Sequence, residues 1–389
     1  MSNDEEIKND IEKIWEKELK KEINDKIYSY LSEAYKDIDI QLKNFYNSLN
    51  DKLNSNQNIN IIESQGLKSG INLNSIKNLP RLIVLSNSSN YNPLINPILQ
   101  ILGHCELLVN YFFNQDKNLE KTKNDNNILL SYYFLRILKH LWSDENNTKY
   151  NPINIHKILK IMMNRNYTSS DPGYIFKFIL MKLNEELSFN DNQNNIRYSF
   201  FYNYTKMKKC NLCNNINNQS NEFSPLINIF IKIKDKESEI IEKFSQEIYN
   251  ISLEDDFQKL LSFNYNDNEK CSYCNKITNK TEIRTINDIG DVLIIYINKN
   301  KNQLNKINIK YPIMIEYQKI VTKNKDKDKA MKKYELNAVL VMEENQNYAY
   351  IKNFIDKKWY LYSGENIQNA CENDVFKKNA SVLFYTKIK

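Results

Sequence analysis

Four cysteines stand in two pairs, Cys210-Asn-Leu-Cys213 and Cys271-Ser-Tyr-Cys274, with 57 residues between the pairs. Each C-x-x-C turn presents two sulfurs. Two such turns supply the four thiolates of a tetrahedral structural zinc site, at about 2.3 Å per Zn–S bond. Asn214 and Asn215 come after the first turn, and Asn275 and Lys276 after the second. Four free thiols or two disulfides are the alternatives. The chain opens Met1-Ser-Asn-Asp-Glu-Glu, with no secretory signal, which argues against disulfides. One structural Zn2+ is the expected cofactor. The spacing is too long for a compact ribbon or finger, so a folded segment must separate the pairs.

Other reactive side chains are few. The remaining cysteines are Cys105 and Cys371, and the histidines are His104, His140 and His156. His104 and Cys105 are neighbours, but adjacent residues on a helix diverge by about 100° and do not make a dyad. Cys371 lies in a polar stretch far in sequence from any histidine. His140 and His156 fall within helical patterns and read as ordinary core or surface residues. Ser86, Ser88 and Ser89 have no visible base.

The elements that position these residues emerge from periodicity. Ile7, Ile11, Ile14, Trp15, Leu19, Ile23, Ile27 and Leu31 recur at three- and four-residue spacing, and the pattern continues to Leu49. A helical extension is therefore expected over 4–56, docking on the domain behind it or on other protein subunits. Residues 57–79 read as linker. Asn96 as N-cap and Pro97 as first residue open a helix carrying Ile98, Leu99, Ile101 and Leu102. Further helices are expected near Asn127–Trp142, Ile155–Met163 and, capped by Asp171, from Pro172 to Leu187. From about residue 195 the texture turns to strands: Tyr198–Lys209, Pro225–Ile233, Val292–Ile297, Asn337–Met342, Tyr348–Asn353, Lys358–Tyr362 and Ser381–Lys387. Ser252–Phe263 reads as a short helix, and Lys319–Lys333 as a solvated loop. Helices first and strands after make an α+β plan.

Composition bounds the function. The hydrophobic fraction of 41% suffices for a core. The net charge of +6 comes from 54 basic and 48 acidic residues, too mixed for a nucleic-acid footprint, so no direct nucleic-acid partner is expected. No apolar run approaches the ~20 residues of a membrane span, so no membrane partner is expected. The cysteine usage fits a reducing compartment, cytoplasmic or nuclear.

This order of boxes resembles the ubiquitin-specific protease family of cysteine peptidases, over residues 80–389. Asn96-Pro-Ile-Leu-Gln-Ile-Leu102 is similar to the helix after the family's nucleophile. Asp171–Leu187, ending Leu-Asn-Glu-Glu-Leu, is similar to the family's Gln-Asp-Ala-His-Glu-Phe box and its Leu-His-Glu-Glu-Leu run. Phe201–Cys213 and Ser220–Ile233 resemble the first finger segment, and Ser252-Leu-Glu-Asp-Asp-Phe257 the approach to the second knuckle. Asp291–Asn298, Tyr311-Pro-Ile313, Ala349-Tyr350, Trp359-Tyr360 and Ala380–Tyr385 resemble the later boxes. The resemblance implies a papain-like thumb and palm with zinc-tipped fingers over about 197–290, and ubiquitin or a ubiquitin-like protein as partner.

It also implies a catalytic triad that this sequence does not spell. The nucleophile's position reads Pro93, the histidine's Gln346, and the acid's Ser363 (or Gly364). The oxyanion asparagine falls at Ser88. No cysteine precedes Cys105 and no histidine comes after His156, whatever the register. The expectation is a non-catalytic member, a ubiquitin binder or scaffold. Two other expectations stand beside it. One is an active deubiquitinase with displaced residues. The other is a relative of the inactive spliceosome branch, which usually carries an N-terminal zinc domain and departs at the finger cysteines.

Overall fold

The C-terminal strands alternate side chains across a sheet that is covered on both faces, so they are buried almost without interruption. In the computed structural model its strands are β5 (Ile227–Phe230), β9 (Val292–Asn298), β12 (Lys333–Met342), β13 (Asn347–Lys352), β14 (Trp359–Ser363), β15 (Asn366–Ala370) and β16 (Ala380–Lys387). They run in the order β15-β14-β13-β12-β16-β9-β5, and a further strand, β11 (Met314–Glu316), pairs with β12. The structure describes residues 82–388 apart from 87–90, 122–128, 143–147, 189–194, 231–248, 254–256, 258–260, 266–269, 299–306, 321–331, 344–345 and 378–379. The expected helical extension 4–56 and linker 57–79 lie outside the described residues, as does Ser88.

Register shows how one sheet serves two cores. Tyr296, Val382, Leu340, Ala349 and Tyr362 lie in one row across neighbouring strands. All face the helices. The adjacent row, Ile295, Leu383, Val339 and Tyr350, faces the other way, toward Leu253, Phe257, Tyr311 and Val375. The period of two thus turns runs such as Val292–Ile297 into a two-sided interior.

The helices on the first face are α1 (Ile95–Gly103), α2 (Glu106–Asn114), α3 (Asp116–Lys121), α4 (Leu129–Trp142), α5 (Ile153–Met163), α6 (Pro172–Ser188) and α7 (Asn195–Phe200). Every residue of α1 is buried. It packs on β13, with further contacts to β12 and β14. The Gly103 carbonyl accepts from the Trp142 indole at 2.9 Å. Glu186, in the Leu-Asn-Glu-Glu-Leu run, accepts the Leu130 and Ser131 amides at 3.2 and 2.7 Å, so a buried carboxylate on α6 satisfies the first turn of α4.

Three expectations change. Asn96 is not the N-cap of α1: the helix begins at Ile95 after Leu94, and the Asn96 amide is committed elsewhere. Pro97 is the third helical residue, where its missing N–H is still no loss. Tyr198 lies in α7, so that strand starts only at Tyr202. Ser252–Phe263 is strand at both ends, in β6 (Tyr249–Ser252) and β7 (Ser262–Tyr265), with Leu253 and Phe257 helical between them. The Asp171 cap is as expected, its carboxylate accepting the Tyr174 amide at 3.1 Å.

The second sheet is built from β3 (Tyr202–Cys210), β4 (Ile216–Ser224), β7 and β8 (Lys280–Asp288), in the order β4-β3-β8-β7. Both cysteine turns sit at its outer end, one between β3 and β4 and the other just before β8. Residues 227–230 and 249–252 fall within the expected finger range yet pair elsewhere, β5 with β9 and β6 with β10 (Ile307–Lys310).

Candidate functional site

The cysteine turns build the same way twice. The Asn214 amide donates to the Cys210 carbonyl and the Asn275 amide to the Cys271 carbonyl, both at 2.9 Å. The Cys210 and Cys271 amides donate onward to the carbonyls of Asn215 and Lys276. Each turn closes on an asparagine in the left-handed region, Asn214 at φ 61° and Asn275 at φ 54°, a conformation asparagine tolerates better than most residues. The four sulfurs converge within 4.8 Å of one another. The Cys210–Cys274 and Cys213–Cys271 separations are 3.9 and 3.6 Å. A regular tetrahedron with Zn–S bonds of 2.3 Å has edges of about 3.8 Å. The donor set therefore fits zinc in type, number and spacing, and four thiolates leave no open position for catalysis. The Cys274 amide, directed at the Cys271 sulfur, brings that thiol down to about 6, against the opposing effect of burial. Backbone amides likewise bring Cys210 down, whereas at Cys213 the Asn215 amide is outweighed by burial and the neighbouring sulfurs, which push that thiol up to about 11.

In the helical layer, α1 carries two amides on an otherwise apolar surface. Asn96 and Gln100, one turn apart, grip the strand β1 (Val84–Leu85) and its flanks. This strand pairs with β2 (Lys149–Tyr150). Asn96 Nδ2 donates to the carbonyls of Leu85 and Ser86, and Gln100 Nε2 donates to Ile83 while its Oε1 accepts the Leu85 amide.

Both residues also fix a histidine. His156 Nε2 lies 2.7 Å from Asn96 Oδ1, which can only accept, so Nε2 holds the proton. Its Nδ1 then accepts from the Tyr167 hydroxyl at 3.1 Å, and its ring stacks on Tyr91 at 4.4 Å. Burial lowers His156 to about 4. His104 is arranged in the opposite tautomer. Nδ1 donates to the Gln100 carbonyl at 2.8 Å and Nε2 accepts from the Tyr362 hydroxyl at 3.0 Å. Burial lowers it too, to about 4, with the Gln100 carbonyl working against the shift. His140 stacks on Tyr150 and is lowered to about 4 by burial, with Arg136 adding to it. Cys105, the residue before α2, is buried, and burial pushes its thiol up to about 12. His104 and Cys105 form no dyad, since both ring nitrogens of His104 are engaged elsewhere. Cys371 is exposed at the start of the short helix Glu372–Val375.

Pro93 is exposed two residues before the first residue of α1. Gln346 is exposed in the β12–β13 turn, its carbonyl accepting the Glu343 amide at 3.0 Å. Ser363 ends β14 opposite Tyr348 on β13, so it shares one end of the sheet with Gln346. Ile101 of α1 and His104, just past its C-terminus, line a cavity of about 440 Å³ together with Ile351 and Lys352 at the far end of β13. Helix α1 therefore runs alongside β13 in the same direction, with Pro93 toward the end that carries Gln346.

Residues 85–385 match the family model described as ubiquitin carboxyl-terminal hydrolase. The chain belongs to that family. Among solved structures, a SAGA DUB module of Ubp8, Sgf11, Sus1 and Sgf73 bound to monoubiquitin is similar at TM-score 0.57 and 16% identity, covering 87% of this chain and 76% of that one. The yeast SAGA DUB module with a variant Sgf73 gives TM-score 0.56 at 16% identity, over 83% and 71%. The Ubp8/Sgf11/Sus1/Sgf73 module bound to ubiquitin aldehyde gives 0.55 at 18%, over 82% and 71%. At these identities the likeness is one of fold. No curated protein sequence matches the chain. No described helix is long and apolar enough to cross a membrane.

The sequence points to the four zinc ligands by number. It does not point to the Asn92–Tyr167–His156–Asn96 network. The one sequence signal of that network is a pair of amides at i and i+4 on an apolar helix, which must find partners if that face is buried.

Proposed function

We propose that this chain is a non-catalytic member of the family that binds ubiquitin or a ubiquitin-like protein and serves as a scaffold within a larger complex. One observation carries the reading. No cysteine stands before Cys105 and no histidine after His156, so the positions that resemblance assigns to nucleophile and base are Pro93 and Gln346, with Ser363 for the acid. A cysteine peptidase needs a thiolate, a base to generate it and a group to orient that base. The other candidates do not substitute. Cys105 is buried with its thiol raised, and His104 and His156 use both ring nitrogens inside the core.

The binding half of the proposal draws on the fold. The similar solved structures are described as bound to ubiquitin and assembled with other subunits. The zinc-bearing sheet and the two-sided palm sheet are built here, which supports a retained surface for ubiquitin. A role of the spliceosome type has less support, because the finger cysteines remain.

The test is a calorimetric titration with ubiquitin beside a ubiquitin–fluorophore cleavage assay. The expected result is saturable binding and no turnover above buffer. Turnover lost in Cys105→Ser or Cys371→Ser would establish an active enzyme and end the proposal. Absence of binding to ubiquitin and to ubiquitin-like proteins would remove its first half.

A further inference from the structure

The tip of the zinc-bearing sheet displays more apolar surface than its fold requires. Leu212 is 56% exposed, Ile216 46%, Tyr273 64% and Ile277 61%. These residues come from two short turns that the four sulfurs bring together. They also occupy matching places. Leu212 and Tyr273 are each the third residue of their C-x-x-C, and Ile216 and Ile277 each lie three residues past the second cysteine. The neighbouring places, Asn211 and Ser272, are polar, so the turn itself tolerates polar residues there. Large apolar groups exposed in a cluster mark a surface that another molecule covers.

Within the two turns the charge has one sign, although Asp267 and Glu269 precede the second turn in sequence. Across residues 209–216 and 270–280, every charged side chain is a lysine: Lys209, Lys270, Lys276 and Lys280. Lys270 and Lys276 are exposed. An apolar centre with a basic rim complements an apolar recess flanked by carboxylates. Single-stranded nucleic acid fits less well, because it needs stacking faces in series and Tyr273 is the single aromatic in these turns.

We propose that the zinc-knuckle tip is a docking surface for a second protein that offers Asp- and Glu-flanked apolar side chains. Leu212, Tyr273, Ile216 and Ile277 form the anchor, and Lys270 and Lys276 set the charge preference. This surface lies on the outer end of the second sheet, and the proposal does not depend on ubiquitin binding or on the absence of catalysis.

The experiment uses the full chain and three defined probes: a fluorescein-labelled peptide of Leu and Phe flanked by Asp and Glu, a peptide of the same apolar residues flanked by Lys, and fluorescein-labelled oligo-dT. Fluorescence anisotropy is measured for the wild type, for Tyr273→Ser/Ile277→Ser and for Lys270→Glu/Lys276→Glu. Zinc content and the thermal melt confirm that each variant is folded, and ubiquitin is titrated separately. The expected result is binding of the acidic peptide alone, weakened at least tenfold in both variants and by a rise in salt from 50 to 300 mM. The Lys-flanked peptide binding equally well would overturn the proposal. So would tip-dependent binding of oligo-dT, or no loss in a variant that keeps its zinc. Failure of the acidic peptide to bind the wild type overturns it as well, whatever ubiquitin does.

Discussion

The two buried histidines next to α1 make a quantitative prediction about acid. His104 and His156 are each held near 4 by burial, against about 6.5 for an exposed imidazole. A group whose folded value is depressed contributes its full stability above the unfolded value, and that contribution is lost as pH falls toward the folded one. The window here runs from about 6.5 down to about 4. Integrating the linkage between pH 7 and pH 5 gives a loss of about 1.8 kcal/mol for each histidine, about 3.5 kcal/mol for both. Against a typical total of about 5–15 kcal/mol, that is a large share. The assay is urea unfolding at pH 8, 7, 6 and 5, with the midpoint converted through a constant m-value. Protonation of zinc thiolates also destabilises in acid, so the informative quantity is the difference in pH slope between wild type and His156→Gln. Because burial lowers His140 to about 4 as well, the variant should lose about a third of the histidine-linked slope, even if it is less stable at pH 7. With three histidines in the chain, imidazole C–H resonances can be tracked one by one. Titration of either ring near 6.5, or an unchanged slope in His156→Gln, would refute the reasoning. The same measurement bears on function, since a general base works best with a value near the operating pH.

The remaining expectations concern metal, packing and the proposed lack of catalysis. One zinc per chain should be found, with X-ray absorption showing four sulfurs at about 2.3 Å; chelation should raise hydrogen exchange in 202–224 and 280–288 before 333–352. Glu186→Ala should cost about 2–4 kcal/mol in urea unfolding, because it strands two buried amides at the start of α4; a loss under about 0.5 kcal/mol would mean that the first turn re-caps itself. Iodoacetamide should modify Cys371 in the native protein and spare Cys105, as read by peptide mass. Writing the triad back as Pro93→Cys/Gln346→His/Ser363→Asp should yield no cleavage of ubiquitin–fluorophore; turnover that disappears on reverting position 93 would show that only the side chains were missing.

How much of this was legible depended on whether a feature was local. The cysteine turns declare themselves because ligand type and spacing are both in the sequence, and their doubled pattern needs only four residues each. The buried strands β9, β12, β13, β14 and β16 were visible because β-branched and aromatic runs survive burial on both faces. Strand β15, Asn366–Ala370, was not, because an edge strand reading Asn-Ile-Gln-Asn-Ala carries a single large apolar residue and no alternating signature. The start of α1 was misplaced for a similar reason. Asn before Pro is a good local cap, but the long-range hydrogen bonds from Asn96 to Leu85, Ser86 and His156 outweigh what a cap would contribute. Those partners lie up to 60 residues away in sequence, where no pattern of spacing reports them.

The start of α1 also bears on the proposed loss of catalysis. A helix N-terminus assists a thiolate through amide donors that point at it and have no other acceptor. Here the amides of Leu94 and Ile95 are engaged. The Leu94 amide donates to Asn92 Oδ1 at 2.9 Å and the Ile95 amide to the Asn92 carbonyl at 3.2 Å. Pro97 has none to give. The Asn92 side chain in turn donates to the carbonyls of Tyr167 and Ser169, and the Asn92 amide meets the Tyr167 hydroxyl that also serves His156. The segment around Pro93 is thus tied into the helical layer by bonds that satisfy buried groups and stabilise the native state. A catalytic N-terminus must leave such groups available to substrate and carry the cost of doing so. On the proposed reading, losing the nucleophile removed that constraint, and the freed backbone donors became ordinary structural hydrogen bonds. The thumb–palm core and the zinc-bearing sheet could then be kept for binding alone.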